Sequence, residues 1–251
     1  MSDRAAPTLD ASPCVENTSD PSTLCTDIRA RYSVAEELVV LGSRSLRMLK
    51  IEDTNRLLDA ISPDEFAVDE RLPYWAELWP SSRELARFCL NETPLRGKTV
   101  LELGCGLGLA GIAAAAAGAH VVFTDYEPDA LSFARFNAWA NLSPDVYASE
   151  TEFRLLDWRS PGLIYPVDLT IGADVAYERP HFLPLLNIVQ TSLKSEGIAV
   201  FVDPDRSTGM AFFALAERQG FEVTLCPRQL NDRGKKKTIV LGILRLPRDH
   251  P

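Results

Sequence analysis

The run Thr99-Val-Leu-Glu-Leu103, followed by Gly104-Cys-Gly106-Leu-Gly108-Leu-Ala-Gly111, constrains this chain more than any other feature. An apolar stretch that ends in glycines suits a strand buried on both faces. The alanine-rich segment from Leu107 to Ala117 then reads as a helix. Strand, glycine turn and helix in that order bring backbone amides and the positive helix end toward one point. The missing side chains let a ligand approach closely. A ligand site is therefore expected where this strand ends.

The segments that follow alternate in character. Val121 to Thr124, Phe153 to Leu156, Leu169 to Ala173 and Ile198 to Val202 read as strands, and Pro128 to Ala140, Phe182 to Leu193 and Met210 to Arg218 as helices. Such alternation implies an α/β fold with a mostly parallel sheet covered by helices. Gly118 is expected to cap its helix in the left-handed conformation, and Pro128 to open the next. Phe221 to Cys226 and Thr238 to Leu244 carry no helical period between them and read as an antiparallel pair, with Lys235-Lys236-Lys237 as a solvated hairpin tip. Upstream, Glu37 to Leu41 and Ser45 to Lys50 flank Gly42-Ser43 and predict a β-hairpin. Ser81-Ser-Arg-Glu84 offers a capping box for a helix from Ser82 to about Asn91. Residues 1–27 are poor in large apolar groups and are expected to form a disordered tail. The expected single domain spans 28–251, with the hairpin and first helix across about 32–93 and the sheet core across about 94–246.

A net charge of −9, from 26 Lys and Arg against 35 Asp and Glu, argues against a nucleic-acid partner, which needs a concentrated basic face. Five cysteines form no C-x-x-C pair, so neither a disulfide framework nor a metal site is expected, and a reducing cytoplasmic location fits. No apolar stretch reaches the ~20 residues of a membrane helix.

The glycine turn admits more than one ligand. Gly106-x-Gly108-x-x-Gly111 satisfies the dinucleotide fingerprint, and Asp125 lies 19 residues beyond Gly106, near the spacing of a ribose-holding carboxylate. An NAD(P)-dependent oxidoreductase is thus one reading, and a bare strand-to-helix turn another. Glu102 favours a third. An acid there can hold, directly or through water, the positively charged amino-acid end of S-adenosylmethionine, and it would repel a diphosphate. Asp157-Trp158, after the third strand, offers an acceptor for the adenine amino group and an aromatic face for its ring. None of the six tyrosines has a lysine four residues on, which removes the Tyr-x-x-x-Lys proton donor of many oxidoreductases.

On Trp75 to Pro80, Glu102 to Gly108, Asp125, Asp157-Trp158 and Ala173-Asp174-Val-Ala-Tyr177, the chain resembles the class I, seven-stranded methyltransferases over about residues 35 to 245. Within them it resembles the group that includes the lysine methyltransferases of the electron-transfer flavoprotein β-subunit and bacterial proteins predicted to methylate small amines. The resemblance implies a Rossmann-like sheet of seven strands, mostly parallel with the last antiparallel, helices on both faces, and S-adenosyl-L-methionine as cofactor. It also implies that Gly104 and Gly106, in the loop that Gly108 completes, contact the cofactor through backbone. Asp125 would accept from both ribose hydroxyls, Trp158 and the Ala173 backbone would lie near the adenosine, and Trp79 would close the pocket. Trp79 has core packing as its plainer role, and Asp125 a helix cap.

The resemblance extends to the acceptor side. Asp174-x-x-Tyr177 matches the acid-x-x-aromatic motif of the lysine-methylating group and lacks the two prolines found in enzymes that methylate planar amide or base nitrogens. Asp174 and Tyr177 are the expected catalytic pair, with Asp174 orienting the amine and Tyr177 walling the pocket. A protein lysine is the expected acceptor and a small amine the alternative. The plainer roles are a turn cap for Asp174 and sheet-edge packing for Tyr177. His181 is expected at a surface helix start, and Asp203-Pro-Asp205-Arg206 is either a substrate contact or an ordinary turn.

Overall fold

The computed structural model describes residues 21–55, 57, 73–162, 164–232 and 234–247. Helix α1 (Pro21–Arg31) precedes an antiparallel hairpin of β1 (Val34–Leu41) and β2 (Arg44–Ile51). After α2 (Pro80–Asn91) come β3 (Thr99–Leu103), α3 (Leu109–Ala116), β4 (His120–Asp125), α4 (Pro128–Asn141), α5 (Pro144–Glu150) and β5 (Thr151–Leu155). The chain continues through β6 (Val167–Ala173), α6 (Phe182–Ser192), β7 (Leu193–Asp203), α7 (Ser207–Arg218), β8 (Glu222–Asp232) and β9 (Lys235–Arg245).

Seven strands form one sheet in the order β5-β4-β3-β6-β7-β9-β8. The pairings from β5 to β7 are parallel, and β9 runs antiparallel to both β7 and β8. This is the expected architecture, a mostly parallel Rossmann-like sheet with its antiparallel pair at one edge. Chain order reverses at β3, which pairs with β4 on one side and β6 on the other, and ligands bind outside the carboxyl ends of strands at such a point.

Both faces of β3 are dry. Val100 joins Val121 and Phe123 of β4 in a core with α2, α3, α4 and the hairpin, while Leu101 and Leu103 pack with Val122, Phe182, Phe212 and Phe213 on the other side. Phe123 stacks on Phe153 of β5 at 4.7 Å between ring centroids.

A buried amide of α4 joins the hairpin to the glycine turn. Asn137 of α4 is fully buried; its Oδ1 accepts from Leu49 N at 2.7 Å, and its Nδ2 donates to Leu49 O at 3.1 Å and to Leu107 O at 3.0 Å. One side chain therefore joins hairpin, helix and glycine turn. Asn141, one helical turn on, repeats the bond pair with Arg47 at 2.8 Å for each.

Several local expectations change. Residues 21–27, expected in a disordered tail, belong to α1, which buries Leu24 and Ile28 and joins α4 through Arg31 and Tyr32 to Asp129; residues 1–20 lie outside the described residues. The Ser81 capping box does not form. Trp79 is the N-cap of α2 without a side-chain bond, Pro80 occupies the first turn, and Glu84 pairs with Arg87 and Arg228. Helix α5 was not foreseen, and β8 and β9 extend well past their apolar centres, so the lysine run opens β9 beside Gly234. Gly118 is left-handed as expected, with φ 95°. No helix among the described residues is long and apolar enough to cross a membrane.

Replacing Asn137 by alanine leaves a buried amide and two carbonyls without partners. Each such loss costs about 1 to 3 kcal/mol, so Asn137→Ala is expected to destabilise the fold by at least roughly 3 kcal/mol, read from the urea midpoint at unchanged slope.

Candidate functional site

A crevice opens at the carboxyl ends of β3, β4 and β6. Its floor is the glycine turn, in which Gly104, Gly106 and Gly108 all take left-handed φ values of 64°, 52° and 84°. At Gly104 a side chain is excluded twice over, by backbone and by space: a Cβ would stand 2.8 Å from Val175 Cγ1 and 3.1 Å from the Trp158 ring.

Two carboxyls shape this floor. Glu102 is 4% exposed, and its Oε2 accepts from Gly111 N at 3.1 Å. Burial pushes its carboxyl up to about 8. Asp125 ends β4; its Oδ2 accepts from Gly106 N at 2.8 Å and its Oδ1 from Glu127 N at 3.0 Å. Burial raises Asp125 to about 6, against the two backbone amides, which favour its charged form. Asp125 does not cap α4, whose N-cap is Glu127. Two amides fix the plane of the Asp125 carboxylate, and each of its oxygens keeps a lone pair for a hydroxyl.

One wall consists of Asp157, Trp158 and Arg159. Arg159 closes on Asp157 through its backbone N at 2.9 Å and its guanidinium at 2.8 to 3.1 Å, so Asp157 is engaged within its own turn. Trp158 lines the crevice, and its Nε1 is buried with no hydrogen-bond partner. The opposite wall precedes α2. Trp79 donates from Nε1 to Tyr74 O at 2.8 Å and meets the Tyr74 ring edge-on, so it belongs to the crevice wall as well as to packing.

The third wall follows β6. Ala173 ends the strand, and Asp174 takes φ 60°, a left-handed conformation that aspartate tolerates better than most residues. Asp174 accepts from Arg206 and, at 3.1 Å, from Ser81 Oγ. Burial pushes the Asp174 carboxyl up, and the Arg206 guanidinium pulls it down. Tyr177 packs edge-on against Tyr74 at 5.2 Å, and its hydroxyl is raised to about 12, chiefly by burial.

Every residue expected at the site lines this crevice except Gly108, which lies at the start of α3. His181 corrects an expectation. It does start a helix, yet it is half-buried in the crevice wall, edge-on to Trp158 at 5.5 Å and to Tyr177 at 5.9 Å. Its place four residues after Tyr177 was the available signal. Tyr74, Tyr126 and Arg159 also line the site and had none. Arg206 bonds Asp174 and Asp203, a role that an ordinary turn does not have.

The lysine methyltransferase family model matches residues 74–219, more than half of the chain. This chain belongs to the lysine methyltransferase family. Among its relatives, the zebrafish (Danio rerio) protein N-lysine methyltransferase METTL21A is 37% identical over 125 residues, covering 48% of this chain and 56% of that protein. The Xenopus laevis electron transfer flavoprotein beta subunit lysine methyltransferase is 34% identical over 142 residues, 54% of each chain. This member of the family thus matches about half the length of these relatives. Its fold resembles precorrin-6y C5,15-methyltransferase from Geobacter metallireducens, with TM-score 0.52 and 15% identity over 66% of this chain and 89% of that one. It also resembles magnesium protoporphyrin IX methyltransferase from Synechocystis PCC 6803 with bound SAM, with TM-score 0.50 and 17% identity over 78% and 98%.

The raised carboxyls give this family member a pH signature. From the ordinary carboxylate range up to about 8, the folded protein keeps a proton on Glu102 that the unfolded chain has released, so stability falls as pH rises through that window. Glu102→Gln keeps an acceptor for Gly111 and removes the titration. Denaturation midpoints measured between about pH 5 and pH 8 are expected to decline less steeply in the variant, and an equal slope would place the titrating group elsewhere.

Proposed function

We propose that this protein is an S-adenosylmethionine-dependent N-methyltransferase that acts on the lysine side chain of a protein. The observation that carries this reading is the convergence of the glycine turn and Asp125 with Asp174 and Tyr177 in one crevice of a lysine methyltransferase family member.

The residues present fit the donor. The glycine turn leaves a cradle that a single Cβ would fill, and Trp158 Nε1 stands without a partner beside it. Asp125, held by two amides, accepts from the ribose hydroxyls, and Asp157 and Trp158 flank the adenine. Glu102 faces the ammonium of the amino-acid end, a charge that favours its ionised form. When bound, S-adenosylmethionine supplies a methyl group on a sulfonium, open to in-line displacement by an amine. The demands on the protein are alignment, short approach and exclusion of water, not a strong acid or base. Tyr74, Trp79 and Tyr177 exclude water, and Asp174 orients the amine. A cytoplasmic location accords with the free thiols of Cys25, Cys89, Cys105 and Cys226.

Calorimetric titration with S-adenosylmethionine, S-adenosylhomocysteine and NADH tests the donor. Binding of the adenosyl compounds alone is expected, and Asp125→Ala is expected to weaken it by at least about tenfold, the worth of a charge-assisted hydrogen bond. Binding of NADH alone would return the dinucleotide reading. The acceptor is tested by incubating the enzyme with tritiated donor and total cell protein. Acid hydrolysis is expected to release label as ε-N-methylated lysine; label confined to small molecules would instead support a free amine.

A further inference from the structure

The loop after β6 is tied to the loop after β7 by a chain of polar contacts that the reading above leaves unexplained. The Asp174 amide donates to Val202 O at 2.9 Å, which anchors the left-handed turn to β7. One Asp174 oxygen accepts from Ser81 of α2, the other from Arg206. Nη2 of Arg206 also donates to Asp203 Oδ2 at 3.0 Å, and the Arg206 backbone N donates to Asp203 Oδ1 at 3.1 Å. Asp203 is itself 2% exposed and cannot retreat, because Gly209 of α7 sits so close that a Cβ there would lie 2.2 Å from its carboxyl carbon. Arg206 is thus held from below by an immobile carboxylate and bears on Asp174 from that fixed base.

Charge explains why such a base is useful. Asp125 on the floor, Glu77 before α2 with Lys50 as its partner, and Glu178 on Asp174's own loop all line the crevice, as does the carboxyl of Glu102, which burial favours in its protonated form. Glu127 and Asp157 line it too, the latter paired with Arg159, and Tyr74, Cys105, Tyr126, Tyr177 and His181 are the other titratable groups on these walls. A lysine enters as an ammonium and must lose a proton to water before its lone pair can form the N–C bond while the C–S bond breaks toward sulfur. An uncompensated carboxylate beside the amine would hold that proton in place.

We infer that Arg206 is a positioning residue: it fixes the Asp174 carboxylate and offsets its charge, so that Asp174 orients the acceptor amine without keeping it protonated. The inference rests on the lysine reading proposed above. Arg206 reaches solvent with 39% of its side chain exposed while the Asp174 side chain is 6% exposed, so the pair presents a carboxylate to the crevice and leaves its counter-charge at the rim.

The test has one arm that needs no acceptor. Carboxyl-carbon NMR of Asp174 is followed against pH in wild type, Arg206→Gln and Arg206→Lys, with S-adenosylmethionine affinity measured by calorimetry on each. The Asp174 midpoint is expected to rise by about one pH unit or more in Arg206→Gln and to stay near wild type in Arg206→Lys, at unchanged donor affinity. The second arm follows tritiated methyl transfer to lysine in total cell protein. Its rising pH limb is expected to move alkaline by about one unit in Arg206→Gln and to return in the Asp174→Asn/Arg206→Gln double variant. An unmoved Asp174 midpoint, or a limb unmoved in Arg206→Gln, overturns the inference. Wild-type enzyme that labels no lysine at all overturns the acceptor reading instead, whatever the NMR arm gives.

Discussion

The Gly111 amide rests on the carboxyl group of Glu102 at 3.1 Å, and this close approach governs the molecule. A Cβ at Gly111 would stand 2.3 Å from both Glu102 Oε2 and the Phe123 ring, so α3 crosses β3 and β4 where only a glycine fits. The helix start is thereby drawn down onto the sheet at the point where strand order reverses. The turn before it then forms the crevice floor, and Asp125 on the neighbouring strand is brought within reach of Gly106. Loss of that approach would leave a sheet without a defined site.

How much of this can be read from the chain depends on whether a residue's role is local. The glycine turn, Asp125 and the reversed final strands are legible because turn chemistry and strand patterning are encoded within a few residues. Helix α5 escapes because it is short and buries no residue fully, with only Val146 and Tyr147 packed part-way against the core; Ser143 and Pro144 mark its start. Helix α1 hides for a related reason, since few large apolar groups stand in a polar stretch and only tertiary contact shows that Leu24 and Ile28 are buried. At Ser81 the local signal misleads. The hydroxyl that would cap its own helix bonds Asp174, 93 residues away, and no pattern near Ser81 announces it.

The same logic separates the two halves of the site. Apart from Trp79 and Ala173, the donor-side groups sit within the stretch from Glu102 to Trp158, where spacing carries information. Acceptor-side geometry is assembled from α2, the loop after β6 and the loop after β7, and its central pair, Asp174 and Arg206, is 32 residues apart. Folding through β7 is needed before those two meet, so the arrangement belongs to topology more than to motif.

The aromatic rings around the crevice carry a consequence for traffic. Trp79 leans on Tyr74 within one wall, and His181 meets both Trp158 and Tyr177 edge-on, joining the other two; the edge-on contact that bridges the mouth is Tyr74 against Tyr177. A ring pair of this kind is worth about 0.5 to 1.5 kcal/mol, close to the energy of thermal agitation. The mouth is therefore latched by a contact that costs little to break, while His181 keeps its edge-on contact with Trp158 behind it.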